Sequence, residues 1–374
     1  MPHQSLADPR LPLRLGRKSN FAQAQGSADP TWSMALEIED TTNTIASLID
    51  HHHENHQELP RPHLGISLLG HSCDRHLWLN FRWAVVQKHS GRLLRLFRRG
   101  QLEEEQVIKD LKSIGIEINS RQTSVDFGSH ISGSADGLLT AGVPGNESES
   151  LVLEIKTHSK KSFTALVKHG LEKEKPVHYI QMQGYMLGLK VKKALYFSIC
   201  KDNDDIHTEI VDFNYTVATK AIERGKKIAL SEYMPEPISG DPSWYECKMC
   251  PAHKFCHETK MTEEVNCRTC AHSTPTEDSE WLCARNENAP IPISWQHQGC
   301  DQHVLHPDLV PWTRAESSSP HEAVYIIDSQ LVRNGEPDER VYSSKEIIAN
   351  PSACASDDPT VNALREELDA RIVF

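Results

Sequence analysis

A glutamate and a lysine two residues apart inside an apolar run are the first residues of this chain whose types and spacing could do chemistry. Leu151-Val152-Leu153-Glu154-Ile155-Lys156 has the composition of a β-strand. Glu154 and Lys156 therefore share one face, and Leu153 and Ile155 turn to the other for packing. One face carries a carboxylate beside an ammonium. Asp136 lies in the preceding strand-like segment, Ser134-Ala135-Asp136-Gly137, and the Pro, Gly and Asn of residues 142–150 supply a hairpin turn between the two. Two carboxylates on adjacent strands make an oxygen site for Mg²⁺ or Mn²⁺, completed by substrate phosphate. A lysine there positions or helps deprotonate an attacking water, while the cation stabilises charge on the phosphorus oxygens.

The ten cysteines form a second kind of constellation. Cys247-x2-Cys250-x5-Cys256 offers three thiolates, and Cys73, far upstream, offers a fourth. The N-terminus has no apolar segment of the secretory type, so clustered Cys-x2-Cys pairs read as metal ligands rather than disulfides. Four thiolates suit a [4Fe–4S] cluster and suit structural Zn²⁺ nearly as well. The spacing and the distant first cysteine favour iron–sulfur, and His71, His76 and His253 are spare nitrogen donors that keep zinc open. Cys267-x2-Cys270, then Cys283, then Cys300 with His303 beyond, reads as a small zinc module that needs its metal to fold. A second iron–sulfur site and no metal at all are the alternatives there. Cys200 and Cys354 are most simply unliganded.

These residues must be positioned by a larger frame. The chain has 374 residues and a net charge of −12, enough for two or three domains. Residues 257–374 carry 9 Lys/Arg against 21 Asp/Glu, so the acidic excess sits in the tail and residues 1–256 are neutral. No apolar run approaches the ~18 residues of a membrane span, and the expected location is the cytoplasm of a bacterium or a phage-infected host. Residues 1–33 read as a disordered leader, and Met34 as an alternative start. Seven basic residues (Arg75, Arg82, Lys88, Arg92, Arg95, Arg98, Arg99) run without an acid among them, with Trp78, Phe81 and Trp83 interleaved. That pattern suits a phosphate-facing surface or, equally, amphipathic helices whose arginines snorkel over a core. Downstream, periodicity predicts a helix through Leu102, Val107, Ile108 and Leu111, two or three strands, a helix from Pro176 to Leu189, strands at 194–199 and 207–213, and a helix over 217–233. The order is α-β-β-β-α-β-β-α.

Asp-Gly followed by apolar-Glu-apolar-Lys on a strand resembles the PD-(D/E)xK nuclease motif, with Ala135 where the family has proline. Gly100-Gln101-Leu102-Glu103-Glu104 is similar to the acidic helix of the lambda-exonuclease branch, with Glu104 at the matching place. Gln181-x3-Tyr185 resembles the RecB-type pattern, and Gln183 falls where lambda exonuclease has its active-site glutamine. One cysteine before this core and three after it look like the iron–sulfur nucleases of the AddB subunit and of CRISPR adaptation. The resemblance spans residues 66–256. It implies an α/β restriction-endonuclease-like core (αβββαβ, a mixed sheet flanked by helices), here with a small C-terminal zinc-binding module. It further implies Glu104, Asp136 and Glu154 as Mg²⁺ ligands, Lys156, Gln181, Gln183 and Tyr185 as further site residues, and Cys73, Cys247, Cys250 and Cys256 as cluster ligands.

The expected domains are a nuclease at 34–256, a Cys-rich metal module at 257–310 holding zinc on Cys267, Cys270, Cys283 and Cys300, and an acidic region at 311–374. The expected function is a metal-dependent DNA exonuclease of phage-type recombination or replication, working on DNA and paired with a strand-annealing or single-strand-binding protein. The alternatives are a structure-specific or restriction-like endonuclease and a non-catalytic DNA-binding metalloprotein. There is no Gly-Lys-Ser/Thr phosphate loop and hence no ATPase motor. Ending the chain near Thr262 is expected to leave a soluble, active nuclease.

Overall fold

A computed structural model describes residues 41–317, 319–338, 340–368 and 371–372; the leader expected over 1–33 lies outside them. The chain divides into two compact units, residues 1–46 and 47–374. The first contributes, among the described residues, the opening turns of α1 (Thr41–Glu54).

The second unit is built on a mixed sheet. Its elements are β1 (Leu64–Gly65), α2 (Asp74–Phe81), α3 (Gly91–Ser113), β2 (Glu117–Asp126), β3 (Ile131–Ala141), β4 (Leu151–His158), α4 (Lys160–His169), α5 (Leu171–Glu174), α6 (Pro176–Leu189), β5 (Lys193–Cys200), β6 (Ile206–Asp212) and α7 (Tyr215–Ala229). The strands run β1-β3-β4-β5-β6, with β2 on the other edge of β3. β4 and β5 are parallel, which their connection through α4–α6 permits, whereas β2–β3, β3–β4 and β5–β6 are antiparallel.

The alternation of β4 sorts its side chains into two layers. Leu151, Leu153 and Ile155 pack with Val107, Ile108 and Leu111 of α3 on one side. Val152 joins Met182, Tyr185 and Met186 of α6 and Ile222 of α7 on the other. Helices thus cover both faces of the sheet, as the αβββαβ order predicts. Among the described residues no helix is long and apolar enough to cross a membrane.

The C-terminal third adds a small sheet of β7 (Ser273–Pro275), β8 (Trp281–Cys283) and β9 (Ala289–Pro290), the helices α8 (Tyr245–Lys248), α9 (Ile293–Gln298) and α10 (Ser344–Ala349), and a sheet of β10 (Thr313–Ala315), β11 (Ala323–Ile327), β12 (Gln330–Asn334) and β13 (Val341–Tyr342). It is not a separate appendage. Trp281 and Leu309 belong to the same apolar core as Leu77, Trp78 and Phe81.

Of the two readings of the basic stretch, its aromatic residues and Arg82 follow the core-packing one. Trp78, Phe81 and Trp83 are buried, so none stacks on a ligand. Arg82 is buried with them, donating to the carbonyls of Arg268 and Ser231. Arg75 is turned to the Pro235 carbonyl and Arg95 to Asp50. Lys88, Arg92, Arg98 and Arg99 remain exposed. A run of basic residues across a short helix, a loop and a long helix cannot present one face, because the aromatic members are needed in the core.

Candidate active site and thiol clusters

β3 and β4 are paired only over Gly137↔Leu153, Leu138↔Val152 and Leu139↔Leu151. Beyond that point the strands part, and β1 takes the same edge of β3 further along, at Ile131 and Ser132. Asp136 and Glu154 are the residues at the fork. The Ile155 N–H, left without a ladder partner from β3, donates instead to Asp136 Oδ2 at 2.8 Å. A side chain has replaced a backbone acceptor, and this fixes one carboxylate against the strand that carries the other.

Glu154 has no exposed surface. Its Oε1 is ion-paired with Lys156 Nζ, and no hydrogen-bond donor of the described residues reaches Oε2. Burial pushes Glu154 up to about 7 against the pull of Lys156, with Asp136 adding to the rise. Burial also raises Asp136, opposed by Lys156 and the Ile155 N–H. Glu104, in the middle of α3, is pushed up to about 7 by burial and then by Asp136. Burial works against the Lys156 charge, but Glu154, Asp136 and Glu104 outweigh it and raise its pKa. Three carboxylates and one ammonium therefore act on one another in one place.

The helix α6 lines the same place. Pro176 opens it at the first helical position, and His178, Gln181 and Tyr185 follow at i, i+3 and i+7 on one face. Gln181 donates to the Tyr185 hydroxyl at 3.3 Å. The phenol is raised to about 12 by burial and by Glu154. A Cβ on Gly133 would stand 3.1 Å from Tyr185 Cε1, so the ring crosses β3 in close contact at this glycine.

Gln183 is the exception, and its expected place in the site is corrected. It is fully buried on another face of α6, with Nε2 donating to the Asp212 carbonyl at 3.0 Å and Oε1 accepting from the Asn214 N–H at 2.7 Å. Both ends of its amide are used to fasten α6 to the β6–α7 connection.

A group absent from the sequence expectations borders Lys156. His158 follows on the same strand face, and Tyr196 stands opposite Glu154 in the β4–β5 register. The Tyr196 hydroxyl lies 2.8 Å from His158 Nε2 and 2.9 Å from His178 Nδ1. The spacing Glu154, Lys156, His158 on a strand and His178, Gln181, Tyr185 on a helix was the signal that could have found these histidines.

The cysteines gather as two sets. Cys73, Cys247, Cys250 and Cys256 line one cavity with His71, His76 and His253. Burial raises the Cys247 thiol first, and the neighbouring Cys73 raises it further. Cys250 is raised by burial and then by Cys73 and Cys247, against a backbone N–H. Cys250 Sγ lies 3.5 Å from His76 Nδ1. His71 Nδ1 already accepts from the Cys73 N–H, and His253 Nδ1 meets the Cys247 carbonyl. Cys267, Cys270, Cys283 and Cys300 line a second cavity. Cys267 is pushed up to about 12 by burial and by the three other thiols of that set. His303, which follows Cys300 in the sequence, is committed at both nitrogens, to Thr269 and Ser344. Among the described residues, no three or more His, Cys, Asp or Glu side chains are already drawn together as a bound ion would hold them. The donor sets nevertheless fit cations: a buried carboxylate oxygen without a donor at the fork, and two sets of four thiols in which neighbouring sulfurs disfavour one another's ionised form, the form a bound cation favours.

No known family's sequence pattern matches the chain, and no curated protein does. Among solved structures it is similar to SSO0001, at 16% identity and a TM-score of 0.37, over 57% of this chain and 96% of that one. It is similar to an alkaline exonuclease (LHK-Exo) from Laribacter hongkongensis at 16% identity and a TM-score of 0.31, over 45% of this chain and 87% of that one. A phage-related exonuclease from Haemophilus somnus 129PT aligns at 20% identity and a TM-score of 0.28, over 36% of this chain and 68% of that one.

Proposed function

We propose that this chain is a metal-dependent deoxyribonuclease that hydrolyses phosphodiester bonds from DNA ends. The observation that carries this reading is the meeting of Asp136, Glu154 and Lys156 at the β3–β4 fork, with one buried Glu154 oxygen that no described donor reaches. Asp136 and Glu154, with Glu104 beside them, would hold Mg²⁺ or Mn²⁺, which supplies charge stabilisation at the phosphoryl oxygens and acidifies water. Lys156 holds the attacking water in line and balances the charge that develops on the phosphate. Gln181 and Tyr185 keep the α6 side of the site in register. The exposed Lys88, Arg92, Arg98 and Arg99 supply phosphate contacts that hold the duplex without reading its sequence.

We assign residues 34–256 to the nuclease and infer a [4Fe–4S] cluster on Cys73, Cys247, Cys250 and Cys256, which would tie the segment before α2 to the one after α7. We infer Zn²⁺ on Cys267, Cys270, Cys283 and Cys300. The convergence of each thiol set on one cavity supports these assignments. A role in recombination beside a strand-annealing protein extends the same reading.

End-labelled linear DNA and closed circular DNA, digested in parallel with Mg²⁺, Mn²⁺ and EDTA, test the proposal. Cleavage of linear DNA that requires the cation and spares circles is expected. Equal cutting of circles would make it an endonuclease, and no cleavage of either would end the nuclease reading.

A further inference from the structure

Five side chains beside the fork form one hydrogen-bonded line. Lys175 Nζ donates to Ser162 Oγ at 2.7 Å, and Ser162 Oγ lies 3.5 Å from His158 Nδ1. His158 Nε2 lies 2.8 Å from the Tyr196 hydroxyl, which lies 2.9 Å from His178 Nδ1. Each group has a fixed supply of protons, and that supply gives the line a direction. An ammonium can only donate, so Ser162 accepts from Lys175 and turns its own proton to His158. Both imidazoles are neutral at pH 7. Burial, then the nearby lysines, lower His158 to about 4, and burial and then Lys156 lower His178 to about 3.

A neutral His158 whose Nδ1 lone pair faces Ser162 and the Lys175 charge carries its proton on Nε2 and donates it to the Tyr196 oxygen. Tyr196, fully buried, then has its single O–H for His178 Nδ1. A neutral His178 that accepts at Nδ1 carries its proton on Nε2. In the reverse order the Ser162 proton would have no partner within the line, and the His158 N–H would point at the lysine.

We propose that His178 Nε2–H is a hydrogen-bond donor to a non-bridging oxygen of the substrate phosphodiester. Tyr196, His158, Ser162 and Lys175 act as positioning residues that set its tautomer. The inference rests on the nuclease reading. Three observations bring His178 to the reacting phosphate. It shares a helix face with Gln181 and Tyr185, Lys156 is the charge that acts on it most strongly, and its partner Tyr196 pairs with Glu154. A neutral donor of fixed orientation suits a phosphoryl oxygen whose charge grows in the transition state, because the dipole is already aimed before the charge arrives.

The test uses the full chain and an oligonucleotide with a single phosphorothioate of each configuration at the scissile position, with wild type, Lys156→Ala, His178→Ala, His178→Gln and Tyr196→Phe compared. His178→Ala should lower kcat about 10²-fold with KM for DNA little changed. His178→Gln, which keeps an N–H near the Nε2 position, should recover most of the loss. Tyr196→Phe should lose roughly tenfold. Sulfur in place of the contacted oxygen should slow wild type and add little to the loss in His178→Ala. A merely structural histidine would leave that sulfur effect unchanged across the variants. If wild type cleaves, Lys156→Ala does not, and His178→Ala cleaves at the wild-type rate or keeps the full sulfur effect, the donor role is wrong and the nuclease reading stands. If wild type cleaves nothing with Mg²⁺ or Mn²⁺, the nuclease reading fails and takes this inference with it.

Discussion

A carboxylate with no exposed surface and one oxygen out of reach of every described donor is costly unless something else binds there, and Glu154 is such a group. Lys156 offsets part of that cost, and a second cation at the fork would offset more of it. The first prediction follows at this scale. Mg²⁺ at 100 times its dissociation constant should stabilise the protein by about 2.7 kcal/mol, seen as a rise in melting temperature over an EDTA control. Glu154→Gln and Asp136→Asn should lose most of that rise while folding normally. Lys156→Ala separates chemistry from binding: cleavage should be abolished, while DNA affinity in a gel-shift assay stays within a few-fold of wild type, because affinity comes from phosphate contacts elsewhere. A parallel loss of affinity would make Lys156 a docking residue instead.

At the scale of elements, the site exists because two strands separate, and a one-residue change of register would remove it. β4 places Glu154 and Lys156 toward α6 only because Leu153 and Ile155 are needed against α3. Much of this was legible in the sequence. The apolar-Glu-apolar-Lys run, the Pro176 helix start and the turn at 142–150 each obey a local rule, so the strand, the helix and the hairpin follow. What was not legible depends on distant partners. Gln183 sits two residues from Gln181 in the same helix, and no local rule distinguishes the amide that bonds the Tyr185 hydroxyl from the one that binds the Asp212 carbonyl and the Asn214 N–H. Trp78 and Trp83 are interleaved with arginines in sequence, yet their rings are claimed by a core that includes residues two hundred positions downstream. The difference between the two glutamines is measurable. Gln183→Ala should cost about 1–2 kcal/mol in urea unfolding, because a fully buried side chain that fastens two backbone groups at a half-buried junction is lost. Its kcat should stay close to wild type at a temperature where it is folded. Gln181→Ala should do the reverse, with a small change in stability and a clear loss in kcat.

For the whole molecule, the decisive feature is a buried cation from the C-terminal third inserted into the aromatic wall beside the main sheet. Arg268 donates to the carbonyls of Phe81 and Pro62 and to Gln296 Oε1, and its guanidinium lies 3.7 Å from the centroid of Trp83 and 5.0 Å from those of Phe81 and Trp281. Its own carbonyl accepts from Arg82, so two arginines are buried on carbonyls and rings, and among the described residues no carboxylate is ion-paired with either. Burial and the Arg82 charge pull Arg268 down to about 9. Cys267 and Cys270 flank it, so the chain that brings the guanidinium in is the chain that enters the second thiol set. Further contacts repeat the pattern. Thr262 donates to the Ala84 carbonyl, Asn266 to the Trp83 carbonyl, and the Ser129 N–H to the Glu277 carbonyl. The acidic tail expected to be separable is therefore part of the wall around Trp78, Phe81 and Trp83, and the expectation for an end near Thr262 is reversed. A chain stopped there would open Trp78, Phe81 and Trp83 to water and leave Arg82 half-partnered, with burial of several large apolar side chains lost at about 1.5–3 kcal/mol each. That is comparable with the whole margin of a typical domain, about 5–15 kcal/mol. The truncated chain should be insoluble or bind a hydrophobic dye, and should not cleave DNA. Arg268→Ala in the full chain is the finer probe: a loss of about 3 kcal/mol in unfolding, with a red-shifted tryptophan emission, is expected from the three acceptors it strands. A truncated chain that is soluble, dye-negative and active would show that the wall is closed without the tail, and would restore the tail as an independent module.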